Sequence, residues 1–331
     1  MEQITLNEYL LDAQRAHPEA TGELTELVNR IALCGKIIAQ RLRRSTLTGD
    51  TGYARTSNVY GERQEKLDVF ANDVFLRHLR YGGIVSLAAS EEMAEPKVFS
   101  PDGQGHYSVS FDPIDGSSNL DVNGTLGTIF GVRRRREPKE HDHGLLTSGR
   151  EQVAAGYLLY GPATEIVIAD GKRVAIFTLD DSGEFFLSKE NVRLPPSGKA
   201  YAVNEGNQTR WNDQTRRYVE WLKTPDPKTG NVHATRYSAS LVGDFHRILQ
   251  QGGIYLYPEE PGDPKTPHGK LRVLYECHPL AFVAESAGGR ASTGRGAVLD
   301  VVPEDVHARC PLAIGSTEEV DRYEAFVAGK A

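Results

Sequence analysis

Apolar positions fall at helical spacing in the first part of the chain. Leu24, Leu27, Val28, Ile31, Ile38 and Leu42 put one apolar stripe on a helix from about Thr21 to Arg43. Thr21 suits its N-cap, where a hydroxyl accepts from a first-turn N–H, and Arg41, Arg43 and Arg44 suit the negative C-terminal end. Ser45 to Tyr60 is rich in Thr, Ser and Gly and reads as a loop. Leu67 to Leu79 returns to helical spacing.

Strand patterns follow. Ile84 to Leu87 is a short apolar run, and Tyr107 to Phe111 alternates as a strand with one buried face does. Gly127 to Val132, Val153 to Tyr160, Glu165 to Ala169 and Val174 to Leu179 continue the series. Such short intervals leave little room for crossover helices. They predict a mixed or antiparallel sheet flanked by helices rather than a doubly wound parallel one. Pro195-Pro196-Ser197-Gly198 marks a boundary. Beyond it, helices are expected at Gln214 to Leu222, Ser240 to Gln250 and Pro279 to Ala287, the last closed by Gly288-Gly289. Strands are expected at Ile254 to Tyr257 and Leu271 to Tyr275. The result is a two-part α+β chain, 1–196 and 197–331, without internal repeat.

Composition narrows the function classes. The 331 residues are 39% hydrophobic and 25% charged, as in ordinary globular proteins. A net charge of -7 argues against a nucleic-acid partner. The Arg133 to Arg136 run gives way to mixed charge through His143, which is no basic patch, and His141 and His143 lack a third metal partner. No run approaches the roughly 18 apolar residues of a membrane span, and the first residues lack signal-peptide character. Cys34, Cys277 and Cys310 have no CxxC spacing and read as free thiols in a reducing compartment, the cytoplasm.

The chemistry centres on Phe111-Asp112-Pro113-Ile114-Asp115-Gly116-Ser117-Ser118-Asn119-Leu120-Asp121. A strand runs into two carboxylates across a proline turn, and a helix start follows. Carboxylates are hard oxygen ligands for Mg²⁺ or Mn²⁺, and unpaired N–H groups at a helix start can hold a phosphate. Alone, the pattern fits an Asx turn before a helix cap equally well. Two further acidic sites shift the balance: Glu91-Glu92 ends one strand pattern and Glu276 ends another, so carboxylates from several strand ends can converge on one rim.

Ser90-Glu91-Glu92, Asp112 to Asp121 and Lys270-Leu271-Arg272-Val273-Leu274-Tyr275-Glu276-Cys277 together resemble the signatures of class I fructose-1,6-bisphosphatases, in that family's order and approximate spacing. The lithium-sensitive inositol-phosphatase-like enzymes share only the DPxDGS core. The resemblance runs from about Leu6 to Phe326. It implies a layered α/β/α/β/α sugar-phosphatase fold with two mixed, largely antiparallel sheets.

It also implies roles. Glu91, Asp112, Asp115, Glu276 and the Ile114 carbonyl correspond to metal ligands for two to three Mg²⁺ ions per subunit, with Mn²⁺ as the other candidate. Asp68 and Glu92 correspond to carboxylates that take and pass on a proton. Glu62 stands where better-known members carry Asp. Asp115, Gly116, Ser117, Ser118, Asn204, Arg236, Tyr237, Tyr257 and Lys270 correspond to substrate contacts, with Arg236 supplied by a neighbouring subunit of a homotetramer. Asn207 stands where a tyrosine is common. Thr21, Gly22, Glu23, Leu24, Thr25, Tyr107 and Arg134 resemble an allosteric AMP site, in which His106 replaces a usual lysine, so weakened AMP inhibition is expected.

The implied reaction is Mg²⁺-dependent hydrolysis of D-fructose 1,6-bisphosphate, in gluconeogenesis or carbon fixation. Three alternatives remain. Sedoheptulose 1,7-bisphosphate would suit the same distal clamp. An inositol monophosphate would leave that clamp unused. A silent sugar-phosphate or AMP sensor would have no need for clustered carboxylates.

Overall fold

The computed structural model describes residues 3–49, 52–57, 63–100, 104–135, 144–225, 227, 230 and 232–331. Glu62, Arg136, His141 and His143 lie outside the described residues. The first half begins with helices α1 (Leu6–Arg15), α2 (Glu23–Leu42) and α3 (Ser45–Thr48). The hairpin β1 (Tyr53–Ser57) and β2 (Arg63–Glu65) leads into α4 (Lys66–Leu79). Strands β3 (Val85–Ser90), β4 (Lys97–Val98), β5 (Tyr107–Asp115) and β6 (Leu126–Arg134) follow. Next come β7 (Gln152–Tyr160), β8 (Thr164–Ala169), β9 (Val174–Leu179) and β10 (Phe185–Lys189).

The second half opens with β11 (Ala200–Ala202), α5 (Asp213–Lys223), β12 (Ala234–Thr235), α6 (Leu241–Gln251) and β13 (Ile254–Tyr257). It closes with β14 (Leu271–Arg272), α7 (His278–Ser286), β15 (Arg290–Ser292), β16 (Arg309–Cys310), β17 (Leu312–Gly315) and α8 (Thr317–Val327).

Strands β3 to β10 form an eight-stranded sheet in the order β10-β9-β8-β7-β6-β5-β3-β4. Its neighbours pair antiparallel except β3 and β5, which run parallel. A five-stranded sheet, β12-β11-β13-β17-β15, has parallel pairs at β11–β12 and β11–β13 and antiparallel pairs elsewhere. Among the described residues, the three larger of four apolar cores stack these layers. One lies between α1, α2, α4 and the first sheet. A second fills the space between the two sheets, where α6 and α7 run. The third packs α5 and α8 on the outer face of the second sheet. This is the expected α/β/α/β/α order with mixed sheets; the first is largely antiparallel as expected, whereas the second divides its four pairs evenly between parallel and antiparallel.

Local physics explains the main departures from the sequence expectations. Helix α2 starts at Glu23, and its cap is Gly22 at φ +87, not Thr21; no side chain caps it. Glycine bears that left-handed conformation without steric cost. Farther along, α2 comes so close to β7 that a Cβ on Gly35 would sit 1.9 Å from Leu158 Cδ2. The region read as a loop, Ser45 to Tyr60, holds α3 and β1, which pairs with β2 just beyond it. Every residue of β5 is buried, so its alternation does not mark a solvent face: helices cover both sides of the sheet. The run from Leu271 is strand only at Leu271–Arg272. Val273–Cys277 is a π-turn leading into α7, so Glu276 sits on a turn and not at a strand end.

Candidate active site

Glu91 and Asp112 reach the same rim because β3 and β5 run parallel, with Ser90 opposite Phe111. The Glu91 N–H donates to Phe111 O at 3.2 Å, which holds the chain against β5 as β3 ends. Three positions apart, Asp112 and Asp115 would face opposite sides of a regular strand. The register prevents this: Asp112 pairs with Ile129 and Asp115 with Gly127, so β5 carries one extra residue and bulges. Pro113, which has no N–H to give the ladder, suits the bulge. Thr128 Oγ1 fastens it by donating to Pro113 O at 2.7 Å, and the Ile114 N–H donates to Asp112 Oδ1 at 3.0 Å.

Glu276 arrives from the π-turn, which Ser110 Oγ ties to β5 by donating to Leu274 O at 3.0 Å. Ligand atoms of Glu91, Asp112 and Glu276 all lie within 4.8 Å of one another. Burial, then the negative charges of Glu91, Asp115, Glu276 and Glu92, pushes the Asp112 carboxyl well above the ordinary range. Burial, then Glu91, does the same to Glu276. Asp115 is pushed up to about 6, chiefly by burial, against the N–H of Val242 and the hydroxyl of Ser240. Arg272 faces this group twice: its backbone N–H donates to Glu276 Oε2 at 2.5 Å, and its guanidinium Nε lies 3.6 Å from Glu91 Oε1. Converging, mutually repelling carboxylate oxygens fit a small hard divalent cation, which would relieve the repulsion that raises their pKa values.

The other sequence-derived residues fall into groups. Glu92 follows Glu91, with its N–H on Ser90 Oγ at 3.3 Å. Asp68 is buried in the first turn of α4, not exposed. Gly116, at φ +76, caps the short 3-10 turn Ser117–Val122, so Ser117 and Ser118 open a turn directly after Asp115. Burial raises Tyr237 and Tyr257 to about 12, and the charges bearing on Tyr237 include Tyr257, Lys270 and Asp115. Glu276 bears on Tyr257. Lys270 Nζ stands 6.0 Å from the Tyr257 ring centre. These side chains therefore border the acidic trio. Asn204 is exposed and accepts from the Gly206 N–H at 3.1 Å. Arg236 is exposed and, with Tyr237, lines a cavity of about 690 Å³ beside α6. Asn207 Nδ2 donates to Glu260 Oε1 at 2.7 Å.

Thr21, Gly22, Leu24, Thr25, Tyr107 and Arg134 line one cavity of about 460 Å³ between α1, α2 and the first sheet. Glu23 is not part of its wall; its Oε2 lies 2.8 Å from His106 Nδ1. The sequence reading missed Ser240 and the Val242 N–H, which hold Asp115, and gave Arg272 no role. Ser240 carried a signal as a helix start, and Arg272 sits inside the quoted Lys270–Cys277 run.

The fold and the carboxylate site together match a known family. Models described as "Fructose-1-6-bisphosphatase, N-terminal domain" and "Fructose-1-6-bisphosphatase, C-terminal domain" match residues 4–190 and 194–328. "Fructose-1,6-bisphosphatase class 1" of Crocosphaera subtropica is 46% identical, over 98% of this chain and 91% of its own. Its counterpart from Chlorobium luteolum is 44% identical over 98% of each chain. Leishmania major fructose-1,6-bisphosphatase in holo form superposes with a TM-score of 0.90 and 35% identity, covering 98% of this chain and 99% of that one. The chain belongs to the class 1 fructose-1,6-bisphosphatase family.

Proposed function

We propose that the chain hydrolyses D-fructose 1,6-bisphosphate to D-fructose 6-phosphate and phosphate at the acidic rim between the two sheets. The observation that carries this is the convergence of Glu91, Asp112 and Glu276 beside Tyr237, Tyr257 and Lys270. Two to three Mg²⁺ or Mn²⁺ ions per subunit are held by Glu91, Asp112, Asp115, Glu276 and the Ile114 carbonyl. Such ions supply Lewis acidity and lower the pKa of a bound water.

The protein's own groups do the rest. Asp68 and Glu92, with Glu62, receive and pass on a proton. Gly116, Ser117 and Ser118 offer N–H groups at the start of their turn to the reacting phosphate. Asn204, Tyr237, Tyr257, Lys270 and a neighbouring subunit's copy of Arg236 hold the distal phosphate through charged and hydroxyl donors. That Arg236 is exposed supports its use across a homotetramer interface. The separate family matches to 4–190 and 194–328 support subdomains of 1–196 and 197–331. The cavity lined by Thr21, Gly22, Leu24, Thr25, Tyr107 and Arg134, with Glu23 at its edge, takes AMP, weakened by His106 in place of a lysine. Among the described residues no helix is long and apolar enough to cross a membrane, and the three cysteines are free and buried; both support a cytoplasmic site of action.

The test is phosphate release from fructose 1,6-bisphosphate with Mg²⁺, with EDTA, and for Asp115→Ala. Turnover that needs metal and falls about 10²-fold or more in the variant is expected. Faster turnover of sedoheptulose 1,7-bisphosphate keeps the site and changes the substrate. No turnover of any ester overturns the reading.

A further inference from the structure

One short stretch of chain holds Asp115. Ser240 Oγ donates to Asp115 Oδ2 at 3.1 Å, and the Val242 N–H donates to the same oxygen at 2.8 Å. Ser240 is fully buried, and its Oγ also accepts from the Gly243 N–H at 3.1 Å, which caps α6. The same hydroxyl thus ties a carboxylate of the acidic rim to the start of a helix.

The chain just before Ser240 carries Tyr237 and is held from both sides. The Ser238 N–H and Oγ donate to Asp244 Oδ1 at 3.0 and 2.7 Å. The Ser238 carbonyl accepts from Asn119 Nδ2 at 3.1 Å, and Asn119 lies on the turn that follows Asp115. Ala239, between them, has φ +61, a conformation that persists in a residue with a Cβ only where the surroundings fix it. The segment 237–242 therefore has little slack, and a displacement at Tyr237 is passed to the donors on Asp115.

We propose that Ser240 is a positioning residue that couples occupation of the distal-phosphate clamp at Tyr237 to the orientation of the Asp115 carboxylate, and so to cation binding. This rests on the roles proposed above for Asp115 and Tyr237. By linkage, sugar phosphate at the clamp and a cation at the carboxylate then tighten each other's binding by the same factor.

The test measures Mn²⁺ binding to the full-length chain by electron paramagnetic resonance, without turnover, with and without D-fructose 6-phosphate. In the parent chain the sugar phosphate tightens Mn²⁺ by a factor in the usual range of about 5 to 150. In Ser240→Ala that factor falls to nearly one, while binding of the sugar phosphate without metal is retained. Ala239→Gly, which relieves the left-handed strain, lowers the factor without lowering the melting temperature, and it decides the matter if Ser240→Ala does not fold.

A parent chain that binds Mn²⁺ with no such factor overturns the inference. So does undiminished coupling in the variants, or equal loss of Mn²⁺ affinity with and without sugar phosphate, which would make Ser240 a plain support for Asp115. A parent chain that binds no Mn²⁺ overturns the metal reading of the site first, and this inference with it.

Discussion

The acidic rim and the edge of the cavity between α1, α2 and the first sheet both hold partly or fully buried carboxylates, with opposite electrostatic outcomes. Asp170 follows β8. Burial acts to raise its pKa, but N–H donors from Arg173 and Lys172 at 2.8 and 2.9 Å and the Arg173 guanidinium at 3.0 Å hold it below the ordinary value. Asp112 and Glu276 are instead pushed well up by burial and by each other's neighbours. Asp170 is satisfied within the chain, so its role is to build a turn. The rim carboxylates repel one another, and protons or a bound cation would relieve that repulsion. Burial alone also raises a structural carboxylate such as Asp244; what sets the rim apart is that several like charges converge there and push one another further up.

Asp112→Asn tests the contrast most severely. Turnover of fructose 1,6-bisphosphate should fall by about 10³-fold or more, since a ligand oxygen and its charge go together. The melting temperature of the metal-free chain should rise at neutral pH, because Asn can be buried there without the proton uptake that Asp112 needs on folding. Phosphate release and calorimetry check the pair of effects, and a lower melting temperature would break the comparison.

Metal dependence of stability comes next. Mg²⁺ at about 100 times its dissociation constant should add about 2.7 kcal/mol to unfolding. Without metal, the folded chain holds protons on Asp112, Glu276 and Asp115 that the unfolded chain, with carboxyl pKa values of about 4, has released. Their contribution is therefore fully present below about pH 4 and is lost as pH rises through about 6 and beyond. Added Mg²⁺ competes with those protons, so its stabilisation should grow as pH rises across the same window. Thermal melts at several pH values, with EDTA and with Mg²⁺, check both trends.

Asp170→Asn should act in the opposite sense. Its lowered pKa stabilises the fold at neutral pH and loses that contribution as pH falls through the folded value. Because the Asp170–Arg173 pair is partly exposed, the variant should cost no more than about 1 kcal/mol at pH 7, and nothing in acid. Melts of the two chains along a pH series decide this. The smallest effect is His106→Lys. A permanent cation beside Glu23 at this exposed position should sharpen AMP inhibition by about two- to five-fold, read from the half-inhibitory AMP concentration.

Much of this arrangement was legible in the residue pattern. The α2, α4 and α6 stripes, the strand series from β5 to β9 and the layered order followed from apolar spacing and family signatures. Other parts were not. Helix α1 went unread although Thr5 and Glu8 form a capping box, a visible signal. The Leu271–Tyr275 run was read as a strand, although a short apolar stretch fits strand or buried helix equally; beyond Arg272 it is a π-turn tied to β5. The bulge that turns Asp112 and Asp115 to one side was hinted at only by Pro113. Ser240 was readable as a helix start, but its bond to Asp115 joins positions 125 residues apart, which no local pattern encodes.

The parallel pairing of β3 with β5 also bears on how the site is assembled in time. Glu91 and Asp112 come from neighbouring strands close in sequence, whereas Glu276 belongs to a turn made long afterwards. During synthesis, a chain that has emerged only through the first sheet holds two of the three converging carboxylates. On the proposed metal site, such a chain would hold a divalent cation weakly. Tight chelation would begin only when the second half emerges and docks, so cation capture would report completed folding, and a truncated product would lack the protection metal gives the finished chain.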